Sequence, residues 1–96
     1  MKKQLGNISE LCITSDVAYK MRTDDKVNKE ILALYNRHLA NDWGETCETQ
    51  RQENEEILHG EKDGSIISYY DTSIGNIVIL TVLNTKVTVI ALSRQS

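Results

Sequence analysis

The stretch that decides the fold is Ile77-Val78-Ile79-Leu80-Thr81-Val82-Leu83. Successive side chains of a β-strand point to opposite faces, so this run is apolar on both faces. Runs of similar length at 65–71 and 86–92 flank it; they are rich in Ile, Val, Thr and Tyr and alternate with a period of two. The chain after Gly64 therefore predicts three strands, with the most apolar strand, over 76–83, in the middle.

Two short turns join these strands. They are Ser73-Ile74-Gly75-Asn76 and Asn84-Thr85-Lys86. Connections of this length make consecutive strands antiparallel neighbours, which predicts a three-stranded meander. Because the middle strand is apolar on both sides, we expect both of its faces to be covered, one by helices; a second protomer is a candidate cover for the other.

The clearest helix lies upstream of the strands. Its apolar positions follow a 3.6-residue period and form one stripe: Val27, Ile31, Leu34, Tyr35 and His38. Leu32 and Leu39 widen this stripe, and the segment Thr23-Asp24-Asp25 supplies a cap at its start. We expect the helix to end near Asn41, with Gly44 in a left-handed turn.

Three weaker elements complete the pattern: a strand over 5–13, a short helix over 16–22 and a helix over 48–59. In the last of these, Thr49 and Gln52 match a capping box, and Asn54 falls on a thin apolar stripe, where it needs a hydrogen-bond partner. The sequence thus predicts a single α+β domain over 1–96. It has a short N-terminal strand, two to three helices and a C-terminal antiparallel three-stranded β-meander.

Composition and charge narrow the functional classes. Two cysteines, Cys12 and Cys47, are too few for a disulfide framework, and we interpret them as small buried apolar groups. No apolar run approaches the roughly 20 residues that cross a bilayer, and no apolar stretch follows Lys2 and Lys3 as in a signal peptide. We therefore expect a cytoplasmic protein without membrane contact. The net charge of −3 argues against a general nucleic-acid binder.

The segment 41–63 concentrates the acidic charge. It holds eight of the fourteen acidic residues and only two basic ones, so it nets −6. It also holds Trp43, the only tryptophan, for which two interpretations stay open: a core plug, which we favour, or an exposed anchor at an interface. If the chain has a contact surface, we expect it at Asp42, Trp43, Glu53, Glu55 and Glu56.

Catalytic and metal sites have little support in the sequence. His38, Asp42, Cys47 and His59 form a conceivable metal set, but their spacing matches no standard zinc pattern. Cys47 with a histidine base is formally a nucleophile, although nothing in the flanking sequence indicates an oxyanion hole. We therefore expect no enzyme, no cofactor and no metal, and a structural role for His38 at the end of its helix.

The order of residues resembles a family of small uncharacterised proteins found on bacterial plasmids, phages and integrated elements. The resemblance rests on Leu5-Gly6, Arg37-His38, Asp42-Trp43-Gly44, Asn54, Leu58, Gly60, Ile66, Ser68, Tyr69, Ile79, Thr81, Thr88 and Leu92. The chain departs from the family at Asn41, where the family has Gly, and at Val82, where it has Glu; its ending, Ala91-Leu92-Ser93-Arg94, also differs. The family has no established activity, and the resemblance implies only a mobile-element context.

Three functional hypotheses follow. The first is a non-enzymatic protein of a mobile element that binds a basic protein surface through its acidic helix, for example as an inhibitor of a host defence nuclease or of another nucleic-acid-binding protein. The alternative is a homo-oligomeric assembly module, such as a homodimer. Weak nucleic-acid binding ranks last, because acidic residues interrupt the basic set Lys2, Lys3, Lys20, Arg22, Lys26 and Lys29.

Overall fold

Three helices and four strands make up residues 8–93, the part of the chain that a computed structural model describes. In chain order they are β1 (Glu10–Ile13), α1 (Ser15–Thr23), α2 (Asp25–Leu39), α3 (Glu48–Leu58), β2 (Ser65–Thr72), β3 (Gly75–Val82) and β4 (Val87–Leu92). The predicted α+β class is confirmed. Residues 5–7 of the predicted first strand lie outside the described residues.

The sheet contains four strands in the order β1-β4-β3-β2 and is mixed. The three C-terminal strands pair antiparallel, whereas β1 pairs parallel with β4. The prediction of three antiparallel C-terminal strands is therefore incomplete, because β1 adds a fourth strand to the sheet in parallel orientation. The amide of Ser9 donates to the carbonyl of Lys86, and that of Thr14 to the carbonyl of Ile90, both at 3.0 Å. The sequence of β1 is only four residues long, so its hydrophobic pattern does not indicate which distant strand it pairs with.

One face of the sheet packs against the helices. Ile79 and Ile90 join Val27 and Ile31 in one buried cluster, and Ile66 joins a second cluster beside α3. The predicted stripe of α2 is confirmed at its four buried positions, Val27, Ile31, Leu34 and His38. The stripe is narrower than expected, because the side chain of Leu32 is 46% exposed.

The opposite face carries a layer of aliphatic side chains, which we call the open face: Ile67, Val78, Leu80, Val82, Val87 and Val89. These residues alternate with the buried ones along β2, β3 and β4, and none belongs to either core cluster. Helices cover one face of the central strand, as expected; the expectation that a second protomer covers the other face stays a prediction. The three described helices pack on the face that contains the core clusters or at the β2 edge.

The free edge of β2 is occupied by side-chain and loop groups instead of another strand. Asn54 of α3 donates from Nδ2 to the carbonyl of Ile67 (2.9 Å) and accepts the Ile67 amide at Oδ1 (3.1 Å). The Glu45 amide donates to the Tyr69 carbonyl (2.8 Å), and Thr46 Oγ1 accepts the Tyr69 amide (2.9 Å). The predicted need of Asn54 for a partner is confirmed, and the edge cannot pair with another strand at these positions.

Helix starts follow the predicted chemistry in one case and not in another. Asp24 caps α2 by accepting the amide of Lys26 at 3.0 Å, as expected. The capping box at Thr49 is wrong, because α3 begins at Glu48 and its N-cap residue is Cys47, which makes no side-chain cap bond. Position 49 therefore lies within the first turn.

We predict that Asn54→Ala destabilises the fold by about 2–4 kcal/mol, since it leaves two backbone groups of Ile67 unpaired and creates a cavity where the buried side chain was. The control is Gln50→Ala, which removes only the 3.0 Å bond that Gln50 donates to Asn54 and costs below about 1 kcal/mol. Urea unfolding of both variants measures the difference. Equal losses would show that Asn54 does not hold the β2 edge.

Candidate protein-binding surface

Trp43 lies in the interior, between α2 and α3. Its side chain is 4% exposed and packs in a cluster with Ile57, Leu58 and Ile66. The core interpretation of Trp43 is therefore confirmed for the single chain, and its indole is not part of the accessible surface. Truncating it tests the core and not a contact with a partner.

Asp42 is part of a clamp between the end of α2 and β2. Its carboxylate binds the Arg37 guanidinium through two bonds, from Nε at 2.8 Å and from Nη2 at 3.2 Å. The guanidinium lies 5.0 Å from the centre of the Tyr70 ring, whose hydroxyl donates to the Asp42 carbonyl at 2.6 Å. The hydrogen bond from Arg37 lowers the pKa of Asp42, so the clamp is charged at neutral pH.

Gly44 lets the backbone turn against that clamp. Its φ of +60° is left-handed, as predicted, and a Cβ atom there would lie 2.6 Å from Cε1 of Tyr70 and 2.8 Å from the carbonyl oxygen of Tyr69. Arg51 of α3 then fastens the turn, because its guanidinium donates to the carbonyls of Gly44 and Thr46. The Asp42-Trp43-Gly44 segment thus joins α2, α3 and β2.

The three predicted glutamates of α3 lie on its outward side. Lys62 is 3.5 Å from a carboxylate oxygen of both Glu53 and Glu56, and His59 is 3.4 Å from Glu55. The side chains of Glu53, Glu55 and Glu56 are 49%, 41% and 34% exposed. The negative charge of Glu53, and then a hydrogen bond with Glu56, raises the pKa of Lys62. The carboxylates are therefore accessible but partly neutralised.

Further carboxylates around α3 keep the surface acidic. Glu45, Glu48, Glu61 and Asp63 are exposed and form no ion pair with the other residues that the structure describes. The three glutamates predicted from the sequence lie in the second half of α3, where each has an ion-pair partner. The carboxylates before and after them, at positions 45, 48, 61 and 63, have no such partner among the described residues.

His38 is fully buried between α2 and the sheet. Its Nδ1 lies 2.6 Å from Ser68 Oγ and its Nε2 lies 2.9 Å from Thr81 Oγ1, which in turn lies 2.7 Å from Thr88 Oγ1. Burial lowers the pKa of His38 to about 4, so the ring is neutral at pH 7, with one nitrogen donating and the other accepting. Its two hydroxyl partners, Ser68 and Thr81, and the hydroxyl of Thr88 that bonds to Thr81 were missed in the sequence; they occupy inward positions on three strands where an apolar residue would be expected.

The conceivable metal set does not come together. His38 is bound to hydroxyl groups in the core, Asp42 to Arg37, and His59 to Glu55 on the surface. Within residues 8–93, no three His, Cys, Asp or Glu side chains are placed to hold a metal ion. Both cysteines are free and exposed, so the expectation that they are buried is wrong. Cys12 lies on the edge strand β1, and Cys47 lies at the open start of α3.

The basic residues of the N-terminal part are dispersed over two helices. Lys20 and Arg22 lie on α1, Lys26 and Lys29 lie on α2, and Lys29 is 3.2 Å from Asp25. Lys2 and Lys3 fall outside the described residues. None of the described helices is long and apolar enough to cross a membrane.

Comparison with known proteins returned no relative. No protein-family model matches the chain, and no curated protein or solved structure matches it. The resemblance to mobile-element proteins therefore stays a prediction.

We predict that His38 makes the fold sensitive to moderate acid. Its pKa in the folded state, about 4, lies below the ordinary value of 6.5, so the unfolded chain binds the proton more tightly. The contribution of His38 is complete above pH 6.5 and is lost as the pH falls toward 4. Between pH 7 and pH 4.5 the free energy of unfolding should drop by about 2 kcal/mol.

Urea unfolding at a series of pH values measures this slope. In His38→Gln the pH-dependent loss should disappear, whereas the exposed-site control His59→Gln should keep the wild-type slope. A wild-type slope in His38→Gln would mean that another group is responsible.

We predict unequal costs for two glycine substitutions. Gly44→Ala should cost about 2–4 kcal/mol, because it combines a left-handed backbone with overlap against Tyr70. Gly60 also has a positive φ, +83°, but no atom lies within 4 Å of the position that a Cβ atom would take there. Gly60→Ala should therefore cost only about 1 kcal/mol. Thermal unfolding compares the two, and similar costs would contradict the close approach of Gly44 to Tyr70.

Proposed function

We propose that this chain is a non-enzymatic protein that binds a basic surface of another protein through the outward side of α3. The observation that carries the proposal is an acidic helix whose inner side is fixed to the fold. Asn54 binds the backbone of β2, Arg51 binds the preceding turn, and Ile57 and Leu58 are buried. The carboxylates on the other side are thereby held in a defined arrangement.

Rigid attachment supports binding because it lowers the entropic cost of association. A surface that is already ordered loses little conformational freedom when a partner docks. Asp42 and Trp43 contribute indirectly: Trp43 packs beneath α3, and Asp42 anchors the turn that leads into it. The contact residues of the proposal are therefore Glu53, Glu55 and Glu56, together with the unpaired carboxylates Glu45 and Glu48.

The internal ion pairs of α3 do not prevent such binding. Exposed pairs contribute only about 0–1 kcal/mol each, so an arginine or lysine of a partner can exchange with Lys62 or His59 at small cost. A basic groove that normally binds phosphates has the complementary charge. One concrete form of the proposal is an inhibitor of a host defence nuclease, a role that would suit the mobile-element context that the resemblance implies.

The charge of α3 can be tested by capture from a bacterial extract. The immobilised chain should retain basic nucleic-acid-binding proteins, which salt or added duplex DNA then elutes. In Glu53→Gln/Glu56→Gln we expect retention of those proteins to weaken about tenfold, because two surface charges are lost without a change in shape. Quantitative mass spectrometry of the eluted fractions measures the change.

The matched control removes two exposed carboxylates elsewhere, in Glu10→Gln/Asp25→Asn. It has the same net charge as the α3 variant and should retain the proteins as the wild type does. If both variants lose them equally, the interaction depends on net charge alone and the assignment to α3 is wrong. If the purified chain itself bound random duplex DNA, with a salt-dependent mobility shift, that result would instead support the hypothesis of nucleic-acid binding through the basic N-terminal residues.

A further inference from the structure

The open face is an ordered, three-row apolar surface. One row crosses all four strands, because Cys12 is in register with Val89, Val89 with Leu80 and Leu80 with Ile67. Val82 and Val87 form the next row on one side of it. Tyr69, Val78 and Ala91 form the row on the other side. The six aliphatic side chains that define the face are half-buried, apart from Val82, which is 36% exposed.

No charged group interrupts the centre of this surface. The carboxylates on the same side of the sheet are Glu10 and Asp71, which lie at opposite ends of opposite edge strands. The helix α3 lies at the β2 edge, and the turn before it brings Glu45 to the cavity that Tyr69 and Asp71 line at one end of this side of the sheet. A contact between two open faces therefore meets no like charges at its centre, although each chain carries a net charge of −3.

The side chains of the open face project from one continuous sheet. One surface cavity of about 310 Å³ borders this side of the sheet at Tyr69, Asp71 and Asn76, beyond the six aliphatic residues. An aliphatic sheet face matches a second twisted sheet, as in β-sandwiches packed about 10 Å apart.

The area fits a weak dimer. The nine apolar positions of the three rows, each about 4.8 Å by 6.8 Å, cover roughly 300 Å² per chain, and Glu10 and Ser65 complete the row of Val82 and Val87. Protruding side chains enlarge the accessible area, but a pair of faces removes less than about 1,000 Å² from water, which is the range of weak, transient interfaces. We infer that the open face is the interface of a homodimer in which two copies of this chain stack sheet against sheet.

Sedimentation equilibrium of the purified full chain, from roughly 10 µM to 1 mM, tests the inference. The wild type should dimerise with a dissociation constant in the micromolar range, and high salt should not weaken the dimer. Leu80→Lys places an ammonium group at the centre of the face and should weaken dimerisation at least about 30-fold. Far-ultraviolet circular dichroism checks that the variant is folded, as expected for a position that belongs to neither core cluster.

Two further variants keep the test decisive. Val89→Thr retains the β-branched shape and should weaken the dimer about threefold to tenfold, even if Leu80→Lys fails to fold. Leu32→Lys changes an exposed leucine of α2 and should leave the dimer unchanged. The α3 variant Glu53→Gln/Glu56→Gln should also dimerise normally, so failure of this inference is separable from failure of the proposed function.

Two results would overturn the inference. The first is a wild-type chain that stays monomeric at the highest concentration. The second is a dimer that persists in folded Leu80→Lys or in Val89→Thr with unchanged affinity. A persistent dimer would indicate pairing through the free edge of β1, which is two strands away from Leu80.

Discussion

The hydrogen bonds of His38 are the constraint on which the arrangement of helix and sheet depends. One imidazole ring from α2 binds Ser68 of β2 and Thr81 of β3, and Thr81 binds Thr88 of β4. A buried polar group without a partner costs more than a typical hydrogen bond contributes. A slip of one residue in either β2 or β3 would turn a hydroxyl to the open face and leave the ring unsatisfied. The network therefore specifies strand register, which the aliphatic neighbours alone would specify less strictly.

The treatment of the sheet edges decides which surfaces remain for other molecules. Asn54, Glu45 and Thr46 occupy the backbone groups of Ile67 and Tyr69, so β2 cannot extend the sheet there. The other edge belongs to β1, which has only four residues. Two of the surfaces that remain accessible are the acidic side of α3 and the open face. These two surfaces differ in chemistry and position, and a dimer stacked through its open faces would present two copies of α3 outward.

The segment with the most unusual composition has mainly a structural role in the single chain. One turn is held by contacts among Arg37, Asp42, Gly44 and Tyr70. Trp43 packs beneath this turn. A tryptophan beside acidic residues is equally compatible with a core or an interface at the level of sequence, because both environments favour a large amphipathic ring. Only the three-dimensional path of the backbone shows whether the tryptophan lies in the core or at an interface. It turns the indole inward and leaves the glutamates of α3 outside.

The sequence by itself determined the α+β class, the stripe of α2, the cap at Asp24 and the need of Asn54 for a partner. These features depend on local periodicity or on the chemistry of one side chain. The tertiary structure alone decided the parallel pairing of β1, the exposure of both cysteines and the identity of the hydroxyl groups that satisfy His38. Each of these depends on which distant segments meet, and a period of two or 3.6 residues carries no information about that choice. The same reason explains the open face, since alternation shows that a strand has two apolar sides but not how many helices are available to cover them.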